Sequence, residues 1–321
     1  MEIVQASVFE NAEGYERARI PGIICTSEDS LIAYCELRRG DSDWAVIDIG
    51  MKKSRDGGKS WSERKILASG GNENTVNNPV MIADEGCIHF LYCINYKRVY
   101  YCKSTDDGNS WSEPEEITSG VKKQEKDLFI SCIATGPTHG IRLISGRLLV
   151  PVWVATNKED AKSHHPSVIY IIYSDDKGKT WHTGDVYDGL SDASEFSLAQ
   201  SSCGRIIANI RHENKERFRA VGEVTAENRI TDVRLCEELS DPVCCAGMCS
   251  AGEEIFFSNC NDSRERKNLT LRRISENGRI IESILVSQEG GYSDIAVSRD
   301  KKYAYVLYES EKIIKCCCVR K

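Results

Sequence analysis

No run of eighteen uncharged apolar residues occurs in this chain of 321 residues, which excludes a membrane-spanning helix. Helical periodicity is nearly absent, leaving strands as the main element. No Pro- or Ser-rich linker divides the chain, so one domain over residues 1–321 is expected. The opening Met1-Glu2-Ile3-Val4-Gln5 has neither a cationic n-region nor an apolar h-region. A cytoplasmic protein is the expectation, secreted only if a leader was trimmed away. Basic residues are also in deficit, 42 Lys and Arg against 49 Asp and Glu, for a net charge of −7. That argues against a nucleic-acid or anionic-membrane surface, which would need a basic stripe, and any anionic ligand must be held by a few placed arginines. No C-x-x-C pair occurs, and the nearest spacing, Cys245 and Cys249, has no second pair to complete a zinc site.

Cysteine itself is plentiful: fifteen residues, an odd number, including Cys244-Cys245 and Cys316-Cys317-Cys318. Neighbours on a strand point to opposite faces, so such runs are poor disulfide frameworks. They read as reduced, mostly buried thiols. His139, His164 and His165 have no acidic or cysteine partner at ligand spacing, and structural or rim roles are expected of them.

Repeats dominate the organisation. Three segments share the form Ser-x-Asp-x-Gly-x-(Ser/Thr)-Trp, at residues 54–61, 104–111 and 174–181, each after a strand-like stretch. The Asp can accept backbone N–H bonds within the turn, Gly supplies a positive φ, and Trp folds beneath as an apolar plug. Degenerate copies stand at Ser275-Glu276-Asn277-Gly278 and around Thr225-Ala226-Glu227-Asn228. These segments resemble the Asp-box repeat that decorates propeller blades, which makes Asp56, Asp106 and Asp176 structural. At about 50 residues per blade the length predicts an all-β, six-bladed β-propeller of four-stranded antiparallel blades. Val4–Val8 and Lys312–Val319 are expected to pair and close the ring.

Beyond the boxes, motifs in order along nearly the whole chain resemble the bacterial sialidase family. Arg19-Ile20-Pro21 matches its Arg-Ile-Pro motif, and the resemblance makes Arg19 the first of three arginines clasping the substrate carboxylate. Glu36-Leu37-Arg38-Arg39-Gly40-Asp41-Ser42-Asp43 implies a substrate-contacting Arg38 and an acid/base Asp43, with Asp41 the runner-up. Gly136-Pro137-Thr138-His139-Gly140-Ile141 matches the family's central stretch. Glu195 and Arg211, sixteen residues apart, match the catalytic glutamate and second arginine; Arg266, preferred to Arg264, matches the third. Gly291-Tyr292-Ser293-Asp294 matches the nucleophile segment, and Leu307-Tyr308-Glu309 the closing motif whose Glu309 orients Arg19. Asn78 departs from the family, which carries an Asp before this Pro.

The chemistry suits these residue types. A sialic acid bears its carboxylate on the anomeric carbon, and guanidinium groups pair with it bidentately at any working pH. A neutral Tyr292 hydroxyl approaches that anionic centre without the repulsion a carboxylate nucleophile meets, while Glu195 takes its proton. The resemblance thus implies an exo-α-sialidase acting with retention on sialic-acid-containing glycans, with no metal or organic cofactor. A non-catalytic sialic-acid-binding propeller, or an enzyme for another nonulosonic acid or an anhydro product, are the alternatives. Trp153, His164 and Phe196 are candidates for the aglycone side.

Overall fold

The computed structural model describes residues 3–10, 14–123, 128–275 and 278–320. The described residues form six antiparallel blades of four strands each, and the third carries an added two-residue strand, Ile141–Arg142. The inner strands, in chain order, are Arg17–Cys25, Val76–Asp84, Cys132–Thr135, Phe196–Gln200, Gly247–Ala251 and Ser293–Val297. One helical turn, Thr118–Val121, is the only helix among the described residues, and none is long and apolar enough to cross a membrane.

Ring closure follows the expectation. Ile3–Phe9 forms the outer strand of the sixth blade and pairs with Ile313–Arg320, Val4 opposite Cys318 and Ala6 opposite Cys316. The chain's two ends therefore share one sheet, so no blade is left with an unpaired closing edge.

The core lies between blades. Leu31, Ala33 and Leu37 of the first blade meet Tyr305 and Leu307 of the sixth, and Ile32 and Met51 meet Phe90 and Tyr92 of the second. Comparable layers separate the other blades, so strands such as Leu31–Arg38 and Leu148–Ala155 are buried on both faces. This explains their continuous apolar runs in place of alternation.

The three Asp-boxes each join the third and fourth strands of a blade. In every one the Ser hydroxyl donates to the Asp at 2.8 Å and accepts the Gly N–H at 2.9 Å. Hydrogen bonds from Ser60 and Ser110 hold the Asp56 and Asp106 carboxyls down at about 2. Trp61, Trp111 and Trp181 pack into the layers between blades six and one, one and two, and two and three. The boxes are thus inter-blade rivets. At Thr225 a plain turn stands instead, with Asn228 at φ +62°, and Glu276 and Asn277 lie outside the described residues. All fifteen cysteines are free, and nine of them are buried.

Candidate active site

At one mouth of the ring the chain opens a cavity of about 250 Å³ lined by Arg19, Arg38, Asp43, Asn78, Glu195, Arg211, Arg266 and Tyr292. All eight sequence-predicted catalytic and binding residues therefore share one cavity, although they come from five blades. Ile20, Tyr96, Trp153, His164, His165 and Ser194 complete its wall.

Local backbone devices aim two of these side chains. Ile20 before Pro21 and Asn78 before Pro79 take positive φ, +57° and +53°, and at both places the strand register shifts. Bulges of this kind re-aim side chains at the rims of sheets. Gly291 serves another need: a Cβ there would stand 2.6 Å from Glu309 Oε2, so only glycine admits that carboxylate behind the neighbouring tyrosine.

The centre is a buried triangle. Tyr292 OH donates to Glu195 Oε1 at 2.5 Å, while Arg211 Nη1 donates to both Tyr292 OH (2.7 Å) and Glu195 Oε2 (2.5 Å). The guanidiniums of Arg19 and Arg266 lie 5.1 and 5.2 Å from the Tyr292 ring centre, so three arginines surround one tyrosine. Burial pushes the Tyr292 hydroxyl up, against the pull of Arg211, and it stays protonated. Burial also pushes Glu195 up, but Arg211 and the Tyr292 hydrogen bond outweigh it and hold the carboxylate below its usual range. A neutral hydroxyl thus faces an ionised base.

Glu309 lies beneath the triangle. It accepts from Arg19 Nε at 3.0 Å and from the backbone N–H groups of Ile20 (3.0 Å) and Tyr292 (3.1 Å), which links the Arg19 and Tyr292 segments across the first and sixth blades. Ile20, Cys244, Cys245 and Cys260 pack against Tyr292 as an apolar floor, which gives the Cys244-Cys245 pair its packing role.

Both close alternatives separate cleanly. Asp43 lines the cavity and accepts from Arg38 Nη1 at 2.6 Å, with Arg19 4.0 Å away, whereas Asp41 is exposed and pairs outward with Arg17 at 2.7 Å. Arg264 is exposed with its N–H on Asp262, while Arg266 reaches Tyr292 from the rim.

Phe196 corrects the aglycone expectation. It is 1% exposed in the layer between the third and fourth blades. Its neighbour Glu195 points into the cavity, and successive strand residues face opposite ways, so both cannot line it. Trp153 and His164 do line it, their rings 5.1 Å apart, with Tyr96 4.9 Å from His164. One further residue was not anticipated: Glu36, fully buried, holds Arg38 through Nε (2.8 Å) and Nη2 (2.6 Å). Its signal was a charge inside an otherwise apolar strand, two residues from Arg38 and hence on the same face.

His139 belongs elsewhere. The inner strands present their beginnings to the site and their ends to a second cavity, lined by Ile24, His139, Gln200, Cys249 and Ile295 among others. There His139 Nδ1 donates to the buried Asp294 carboxylate at 2.8 Å. Burial alone would lower His139, but Asp294 overrides it and raises it to about 10. A raised histidine contributes stability that is complete below pH 6.5 and lost as pH climbs through about 10. The melting-temperature gap between wild type and His139→Gln is therefore expected to narrow from pH 6.5 to 10; a constant gap would refute the ion pair.

Known proteins place this architecture. The BNR repeat-like domain family matches residues 35–306. A sialidase of Bacteroides fragilis is 27% identical over 91% of this chain and 60% of its own length, and mouse Sialidase-3 is 26% identical over 63% and 54%. The chain thus spans about three-fifths or less of these relatives. Among solved structures, Hadza microbial sialidase Hz136 superposes with TM-score 0.82 at 24% identity, covering 96% of this chain and 66% of that one. Trypanosoma rangeli sialidase in complex with sialic acid gives 0.77 at 18%, covering 99% and 58%. Both share the fold. With the family domain spanning most of its length, the chain belongs to the BNR repeat-like domain family, with bacterial-type sialidases among its relatives.

Proposed function

We propose that this protein is a retaining exo-α-sialidase acting on sialic-acid-containing glycans. The observation that carries the reading is the Tyr292–Glu195–Arg211 triangle within a clasp of three arginines. A pure binding module has use for the arginines but none for a buried tyrosine hydroxyl against an ionised glutamate.

In this reading Arg19, Arg211 and Arg266 bind the substrate carboxylate through charge-assisted hydrogen bonds. That places the anomeric carbon, which bears the carboxylate, beside the Tyr292 hydroxyl. Tyr292 oxygen forms a bond to that carbon as Glu195 takes its proton, and the glycosidic C–O bond breaks as Asp43 gives a proton to the leaving oxygen. Asp43, now a carboxylate, draws a proton from water. The water oxygen attacks the same carbon, and Tyr292 leaves with its proton returned by Glu195. Two displacements give net retention; sialidases with a tyrosine nucleophile are a recognised exception to two-carboxylate glycosidases. Glu309 holds Arg19 and the Tyr292 backbone in register.

The test is proton NMR of sialyllactose hydrolysis. The α-anomer of free sialic acid is expected first, converting later to the β form. A β-anomer appearing first would overturn the double displacement, and an inert protein that still binds sialic acid would favour a lectin.

A further inference from the structure

The acid/base candidate Asp43 does not meet Arg38 as a free cation. Arg38 is 1% exposed, and its Nε and Nη2 edge is taken by Glu36 Oε2, leaving Nη1 to reach Asp43 Oδ1 at 2.6 Å. The second oxygen, Glu36 Oε1, accepts the Asn78 N–H at 2.8 Å. Thr135 Oγ1 donates to the Asn78 carbonyl at 2.8 Å, so the left-handed Asn78 backbone is clamped on both sides. Glu36 itself does not line the cavity, yet it braces two residues that do and, through Arg38, a third. Its arrangement parallels Glu309, which divides itself between Arg19 and the Tyr292 backbone.

We infer that Glu36 is a positioning residue for the acid/base step, tempering through Arg38 the grip of positive charge on Asp43. The inference rests on the sialidase reading above. A bare guanidinium against Asp43 would hold it ionised, which suits the base of the second step and opposes the acid of the first. Neutralising part of Arg38 from behind narrows that conflict. The other groups facing Asp43 are Arg19 from the same blade and His164 from the third, with Tyr96 nearby from the second. Glu36 is faced by Arg38, Asp43 and the Tyr96 and Cys93 side chains. Burial pushes Asp43 up, but Arg38 and Arg19 prevail and it sits below its usual range. Burial pushes Glu36 itself up, against Arg38 and the Asn78 N–H; in its ionised form it compensates Arg38, and removing it leaves the full guanidinium charge on Asp43.

The experiment compares wild type, Glu36→Gln and Glu36→Asp on two substrates. Sialyllactose has a sugar leaving group that needs a proton, whereas a 4-methylumbelliferyl sialoside leaves without one. Glu36→Gln is expected to lose about 10- to 100-fold in kcat/KM on sialyllactose and under about 3-fold on the aryl sialoside. Glu36→Asp keeps the carboxylate and should recover most of the sialyllactose activity, and it carries the two-substrate comparison if Glu36→Gln does not fold. Equal losses on both substrates in a folded Glu36→Gln protein, or no recovery in Glu36→Asp, would overturn the assignment while leaving the sialidase reading intact. A wild type inert toward both substrates would overturn both.

Discussion

Tyr292→Phe is expected to lower kcat for sialyllactose by at least about 10³-fold while leaving the fold in place. The ring is packed on the floor formed by Ile20, Cys244, Cys245 and Cys260, and Phe keeps that packing. What disappears is one hydroxyl that donates to Glu195 and accepts from Arg211. Both partners retain each other at 2.5 Å, so no buried charge is orphaned and stability should change by no more than about 1 kcal/mol. Sialic acid binding should stay within a few-fold of wild type, because all three arginines remain. Any residual turnover carries a further signature. With the nucleophile gone, Glu195 can only activate water for direct attack, and the product then inverts to the β-anomer. Undiminished turnover with retention in the Phe variant would eliminate Tyr292 as nucleophile.

The fold was legible in the sequence because its strongest signals are local. Each Asp-box packs a turn, its hydrogen bonds and its tryptophan plug into eight residues, so three copies suffice to announce blades. The fourth and fifth blades turn without a tryptophan, which left their boundaries to arithmetic. Ring closure was legible from the alternating Val4–Val8 and the cysteine-rich end segment, now opposite one another. The site was legible where a motif fixed a residue type at one spot. It was less so where partners come from distant strands. Glu36 serves Arg38 two residues away but also Asn78 from the next blade, and only the latter contact marks it as more than a strand carboxylate. Phe196 does not face the cavity although its neighbour Glu195 does, because strand alternation sends it into the inter-blade layer. Asn78 lines the cavity, and its neutral amide stands there beside Asn77, 2.7 Å away.

Arg211→Ala should show the second large effect, on catalysis and stability together. The residue binds Glu195 and Tyr292 through one nitrogen and belongs to the carboxylate clasp, so kcat/KM should fall at least about 10³-fold, the sum of lost binding and lost alignment. Stability should fall as well, because Glu195 remains with only 9% of its side chain exposed and its main counter-charge gone. Breaking a buried pair costs about 3–5 kcal/mol, and the 15% exposure of Arg211 puts this case toward the lower end. The deficit must depend on pH, and its direction follows from Glu195. In the wild type Glu195 is held below its ordinary value of 4.5, so it contributes stability above that value which is lost as pH falls. In the variant, burial is opposed only by the Tyr292 hydrogen bond and the more distant Arg266, and Glu195 moves upward. Its charged form is then the destabilising one, felt at neutral pH and relieved by protonation. The gap in melting temperature between wild type and Arg211→Ala should therefore be widest near pH 7 and shrink steadily toward pH 4. A gap that stays constant over that range would mean that Arg211 supports the fold by packing alone, and that the ionised Glu195 facing Tyr292 does not depend on it.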